Sequence, residues 1–311
     1  MRAVHSCLRA LAIAAVPMAF VACGGDDEAT PPNTGESENR INWTSDPFEV
    51  PTGESFRCFY TDIVTDREIS VISAIAKQGE GGHHVSLYYI DNPRQASSEP
   101  CSGTTEMLDW HFVVAGGAEG NQLGGDVPAL ADGLAMRVPE GKQLMVQAHY
   151  INTSGKAETQ TDNLQVNLTD PAKVAAYAAD FVVLIEQFQV QPHSQLEVTQ
   201  TCVVPDDLNL AMLNGHMHEQ GEHFTLESVD EDGNVLETYY DESWQPAYSS
   251  HPPSLRWTME EPFVLTKGTR LRQTCKWNNT TDKKLLFPTE MCVGFAYYFP
   301  GESRVLCEME K

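Results

Sequence analysis

The chain has 311 residues, with 20 Lys and Arg against 44 Asp and Glu, for a formal charge of −24. A field of that sign repels phosphate backbones and anionic lipid surfaces, so it argues against nucleic acid as a partner. The length suits two domains of ordinary size, each able to bury its own core.

Residues 1–23 stand apart from both. Arg2 and Arg9 frame a basic start, Leu11 to Val21 is apolar, and Phe20-Val21-Ala22-Cys23 looks like the lipobox at which bacterial lipoprotein precursors are cut before an acylated cysteine. An apolar run this short is an export signal rather than a membrane span. Its removal takes Arg2 and Arg9 with it, and −24 becomes −26. Residues 24–42, rich in Asp, Glu, Pro, Thr, Ser and Gly, read as a polar tether that stays disordered. The expectation is an exported protein in the cell envelope, joined to a membrane only by lipid on Cys23 and facing an oxidising compartment. A eukaryotic origin would instead make Asn42, Asn152 and Asn167 glycosylation candidates, but the context of Cys23 favours the bacterial reading.

Beyond the tether, period-two alternation dominates. Strands are expected over Glu68 to Ile75, His84 to Ile90, Gln143 to Tyr150 and Leu164 to Leu168, then over Leu196 to Thr201, His223 to Val229, Gly268 to Thr274 and Cys292 to Phe299. Turn signals such as Pro139-Glu140-Gly141 and Glu231-Asp232-Gly233-Asn234 separate them. Only Pro171 to Ala179 has a helical flavour. The pattern implies an all-β chain of two antiparallel, jelly-roll-like β-sandwich domains in tandem, residues 43–183 and 184–311.

Of eight cysteines, Cys7 leaves with the signal and Cys23 is assigned to lipid. Cys58 and Cys101 remain in the first half; Cys202, Cys275, Cys292 and Cys307 remain in the second. An even number in each half suits disulfides that do not cross between halves, with three connectivities open in the second. Their spacings match no zinc finger or ribbon.

Histidines carry the chemistry. In extended chain His216 and His218 point to one face while Met217 points away. His83 and His84 are adjacent and would face opposite ways, but Gly81-Gly82 just upstream permits a bulge that turns both rings to one side. His149 ends an apolar strand, where it suits either a packed histidine or a ligand. His111, His193, His223 and His251 read as structural or exposed.

Taken in order, Gly82-His83-His84, Gln147-Ala148-His149-Tyr150, His216-Met217-His218 and Glu290-Met291-Cys292 with the aromatic strand Phe295 to Tyr298 resemble the copper type II ascorbate-dependent monooxygenases, the family of dopamine β-monooxygenase and peptidylglycine α-hydroxylating monooxygenase. The resemblance runs from about Trp43 to Cys307. It implies two copper ions per chain: one on His83, His84 and His149 that takes electrons from ascorbate or an equivalent one-electron reductant, and one on His216, His218 and Met291 where O2 is activated and a substrate C–H bond is hydroxylated. A soft thioether favouring Cu(I) agrees with that division. It also implies the disulfides Cys58–Cys101, Cys275–Cys292 and Cys202–Cys307. The chain departs from the peptide-amidating enzyme where an arginine and a tyrosine would grip a carboxylate: those places hold Asn214 and Phe295. A peptide carboxylate is therefore a poor substrate, and a small organic molecule without one is expected. The alternative is a copper-binding or copper-buffering envelope lipoprotein that keeps the ligands without the catalysis.

Overall fold

The computed structural model describes residues 39–101, 110–117, 130–249, 252–287 and 289–309. The export signal, Cys23, the tether up to residue 38 and His251 lie outside the described residues.

Among them, the first half forms β1 (Arg40–Thr44), β2 (Phe48–Val50), β3 (Gly53–Val64), β4 (Ile69–Lys77), β5 (Gly82–Ile90), β6 (Ser97–Pro100), β7 (Trp110–Gly117), β8 (Leu134–Val138), β9 (Gln143–Asn152), β10 (Glu158–Gln160) and β11 (Asn163–Thr169). The second forms β12 (Ala176–Leu184), β13 (Ser194–Val203), β14 (Leu208–His216), β15 (Gly221–Val229), β16 (Val235–Ser243), β17 (Leu255–Arg256), β18 (Phe263–Leu265), β19 (Arg270–Asn279), β20 (Val293–Phe299), β21 (Val305–Leu306) and β22 (Glu308–Met309). The fold is all-β, as the alternation implies. The helical flavour after Pro171 shrinks to a 3-10 turn over Pro171–Lys173, which the Asp170 side chain caps by accepting from Ala172 N at 2.9 Å. Proline and the cap suffice to start a turn; the β-branched and aromatic residues from Ala176 onward then win as strand β12.

Each half is a sandwich. In the first, the sheet β6-β3-β9-β5-β7 packs on the strands β1-β11-β4-β8. Val85, Leu87, Val146 and Ala148 meet Val71, Ala76, Leu164 and Val166 in its core. In the second, the sheet β16-β15-β19-β13-β22 packs on β12-β20-β14-β17. Phe181, Leu210, Leu213, Phe224, Leu271 and Trp277 fill that core. The two inner layers form one ten-stranded sheet, joined where β8 and β12 run parallel with Leu134 to Met136 opposite Ala176 to Ala178. From Ala179 onward β12 pairs with β20 instead.

Three disulfides brace the sheets, Cys58–Cys101, Cys202–Cys307 and Cys275–Cys292. These are the pairings the family resemblance implies.

Candidate metal centre

Strand parity decides what β9 shows to each side. Leu144, Val146, Ala148 and Tyr150 point into the first core, so Met145, Gln147 and His149 point to the opposite face of the sheet. His84 lies directly across from His149 on β5. The ladder slips between Gly82, opposite Tyr150, and His84, which leaves His83 as the extra residue of a bulge. Gly81 makes this path possible: its φ is +76°, and a Cβ there would sit 2.9 Å from Ile151 O. The expected turning of both rings to one side is what the strand shows.

The three rings meet through their Nδ1 atoms. His83 Nδ1 lies 3.0 Å from His149 Nδ1 and 3.3 Å from His84 Nδ1, and His83, His84 and His149 form a cluster able to hold one metal ion. Hydrogen bonds fix the tautomers. His149 Nε2 lies 2.9 Å from the Glu54 carboxylate, which can only accept, so Nε2 carries the proton. His83 Nε2 lies 3.2 Å from Ser249 Oγ, whose own proton goes to Pro246 O at 2.7 Å, so this Nε2 also donates. The Nδ1 lone pairs of His83 and His149 therefore face one another at 3.0 Å, with His84 Nδ1 3.3 Å from that of His83. Such an arrangement is repulsive until a cation lies between them, and a divalent ion bound by imidazole meets that need. The residues fit a metal.

Phe56 stacks on His149 with centroids 4.1 Å apart and planes 8° from parallel, and His149 is only 2% exposed. Burial, reinforced by His83 and His218, holds its pKa well below the ordinary histidine range, so the imidazole stays neutral and able to ligate.

The second histidine group arises from a different irregularity. Along β14, Leu208 and Leu210 point into the second core, and so does Leu213. The switch from even to odd comes at Ala211, an extra residue between the pairs Leu210–Tyr298 and Met212–Tyr297. It turns Met212, Asn214 and His216 toward the first half. His216 is the last residue of β14, and His218 lies beyond it in a turn closed by Gly221 N donating to His218 O at 3.2 Å. The extended chain expected through His218 therefore stops two residues early, yet the His216 and His218 rings still converge, with centroids 5.2 Å apart. Met217 is fully buried in the second core, pointing away as expected.

Glu290 ties this turn to Met291. Its buried carboxylate accepts from His218 N at 2.5 Å and Met291 N at 3.3 Å through Oε1, and from Gln220 N at 3.1 Å through Oε2. Trp244 Nε1 donates to His218 O at 2.9 Å. His218 Nδ1 donates to Thr289 O at 3.2 Å, which leaves Nε2 as its ligating atom. Burial first, then the charges of His218, His84, His149 and His83, push the His216 pKa well down. The two groups are neighbours, since the His149 and His218 rings lie 6.3 Å apart.

Asn214 and Phe295 are cross-strand partners beside His216. Asn214 donates to Ser254 Oγ at 3.2 Å, and Phe295 packs edge-on against Phe112 and Tyr297. Farther along β14 a cavity of about 370 Å3 opens among Leu130, Met212, Arg256, Trp257, Met259 and Tyr297. Sequence reasoning missed Glu54, Phe56, Ser249 and the role of Glu290. His111, His193 and His223 pair instead with Asp91, Asp282 and Asp241 away from either group.

No family model and no curated protein matches the chain. Among solved structures it is similar to a recombinant peptide:N-glycanase F, at 11% identity over 86% of this chain and 98% of that one, with a TM-score of 0.38. It is also similar to PNGF-II, at 10% identity over 83% and 60% with a TM-score of 0.29. A triple-jelly-roll protein of an archaeal virus matches at 8% identity over 84% and 56%, with a TM-score of 0.23. Likenesses at this level assign no function.

Proposed function

We propose that this is a copper-binding protein of the cell envelope, with His83, His84 and His149 as ligands of one ion, and that a second ion on His216, His218 and Met291 makes it a monooxygenase. The copper-binding part rests on one observation, the Nδ1 lone pairs of His83 and His149 facing each other at 3.0 Å. Alone, that part describes a copper-binding or copper-buffering lipoprotein, which the geometry supports most directly. The oxygenase part is supported by the convergence of His216 and His218 and by Glu290, which brings Met291 to the same turn.

Imidazoles alone suit zinc and copper alike; the thioether selects copper. Copper at these positions supplies one-electron transfer and, in its reduced form, reactivity toward O2. The chain's own contribution is orientation: Glu54 and Ser249 hold the Nε2 protons of His149 and His83, Thr289 O holds that of His218 Nδ1, and Glu290 fixes the backbone from which His218 and Met291 project. Asn214 and Phe295 offer an amide and an apolar ring rather than a cation. The substrate we propose is therefore a small organic molecule without a carboxylate at the reacting end, with ascorbate or another one-electron donor as reductant.

Metal analysis with O2 uptake tests the two parts separately. Two copper ions per chain with reductant-driven O2 consumption supports the oxygenase; one ion without consumption leaves the binding protein; no copper overturns both. Met291→Ala should weaken Cu(I) retention at the second group far more than Cu(II), read by chelator competition in each oxidation state.

A further inference from the structure

Glu54 stands on β3 with its side chain on the same sheet face as Phe56, which lies opposite His149 in the ladder. Its Oε1 is 2.9 Å from His149 Nε2. The Glu54 side chain is 38% exposed and that of His149 is 2% exposed, so the carboxylate keeps its hydration while its partner is enclosed. A charged acceptor on the far nitrogen does two things to a ligating imidazole: it locks the ring and tautomer, and it raises the donor strength of the other nitrogen. Ser249 holds the matching proton of His83, but as a neutral group it adds no charge. The negative charge of Glu54 also reaches His218 and Glu290 of the second half.

We propose that Glu54 is the positioning residue of the three-histidine centre: it fixes His149 with Nδ1 as the donor, and its charge favours the more highly charged oxidation state of the ion held there. This rests on the reading of His83, His84 and His149 as a copper centre.

The test uses full-length mature protein carrying His216→Ala and His218→Ala, so that only the first centre is read. Into it go Glu54→Gln and Glu54→Ala, with Cu(II) affinity from chelator competition, the Cu(II) electron paramagnetic resonance spectrum, the copper reduction potential, and the melting temperature of the metal-free protein. Glu54→Gln keeps an oxygen that accepts the Nε2 proton, so its spectrum should match the parent, while Cu(II) affinity falls about 10-fold and the potential rises. Glu54→Ala frees the ring, so affinity should fall toward 100-fold and the spectrum should change. Metal-free melting should be nearly constant in Glu54→Gln, which keeps an acceptor for His149 Nε2, and should fall in Glu54→Ala, which does not. Parent-like affinity and potential in Glu54→Gln overturn the proposal, as do losses in that variant that merely follow a fall in its metal-free melting temperature. A parent that binds no Cu(II) overturns the copper reading itself, which separates the two failures.

Discussion

Glu290 gathers three backbone N–H groups around one carboxylate that is 1% exposed. Burial pushes its pKa up to about 7 against the pull of those donors. Glu290→Ala removes the acceptor of three donors, of which His218 N is the buried one. It should cost on the order of 1–3 kcal/mol in chemical denaturation and should weaken metal binding at the second group while sparing the first. Asp162 poses the same question behind the first centre, where Gln78 Nε2 reaches both its carboxylate and His149 O. It is fully buried, accepts from Tyr150 Oη and Gln78 Nε2, and has its pKa raised by burial from 3.8 to about 6. A carboxyl raised on folding contributes stability that is complete below its unfolded pKa and is lost as pH climbs through the folded one. Between pH 4 and 6 the wild type should therefore lose roughly 2 kcal/mol relative to Asp162→Asn, a variant that cannot ionise. Urea denaturation at several pH values checks this, and parallel curves would contradict it. His149 and His216 have the opposite sign: buried neutral, they stabilise above pH 6.5 and cost stability as pH falls below it.

At the scale of elements, two bulges aim the imidazoles. The one at His83 was legible, because Gly81 and Gly82 announce a break that adjacent histidines need. Gly81→Val should strain a backbone at φ +76° and press on Ile151 O at 2.9 Å. We expect a loss of about 1–3 kcal/mol and a larger loss of copper affinity at the first centre than at the second, measured by thermal melting and metal titration. The bulge at Ala211 was not legible. Leu208, Asn209 and Leu210 alternate, but Leu210 to Leu213 is apolar throughout, so nothing in its composition marks where inward and outward faces exchange, and the register of β20 alone settles it. The strands β4, β5, β9, β11, β13, β15, β19 and β20 and the convergence of His216 with His218 could be read from the sequence, and the disulfide pairs followed from the family resemblance; β3, β12 and β14 carry no such clean alternation and are not expected as strands. Glu54, Ser249 and Glu290 could not: they reach their partners across 95, 166 and 72 residues, and no local periodicity encodes which sheet faces meet.

For the molecule as a whole, the first centre is completed by the second half. Ser249 is 3% exposed and lies in the 3-10 turn Pro246–Ser249, yet it holds the proton of His83. Ser249→Ala should lower copper affinity at the first centre severalfold and cost about 1–2 kcal/mol of stability while leaving the fold intact, since the two neutral hydrogen bonds of Ser249 Oγ, with His83 Nε2 and Pro246 O, are lost. Chelator competition and circular dichroism together measure this. All of the described residues belong to one compact unit, Asn33–Lys311.

The strand β12 gives its first three residues to β8 and its next six to β20. A hinge is thus replaced by continuous sheet, and anyone recombining the two halves must respect it. A chimera joined at 183/184 would cut β12 before its last residue and divide its pairing with β20 between two parents, whereas a joint in the turn Pro171–Lys173 transfers β12 whole with its later partners. Residues 184–311 expressed alone would present β20 as a bare edge, ready to recruit strands from other chains.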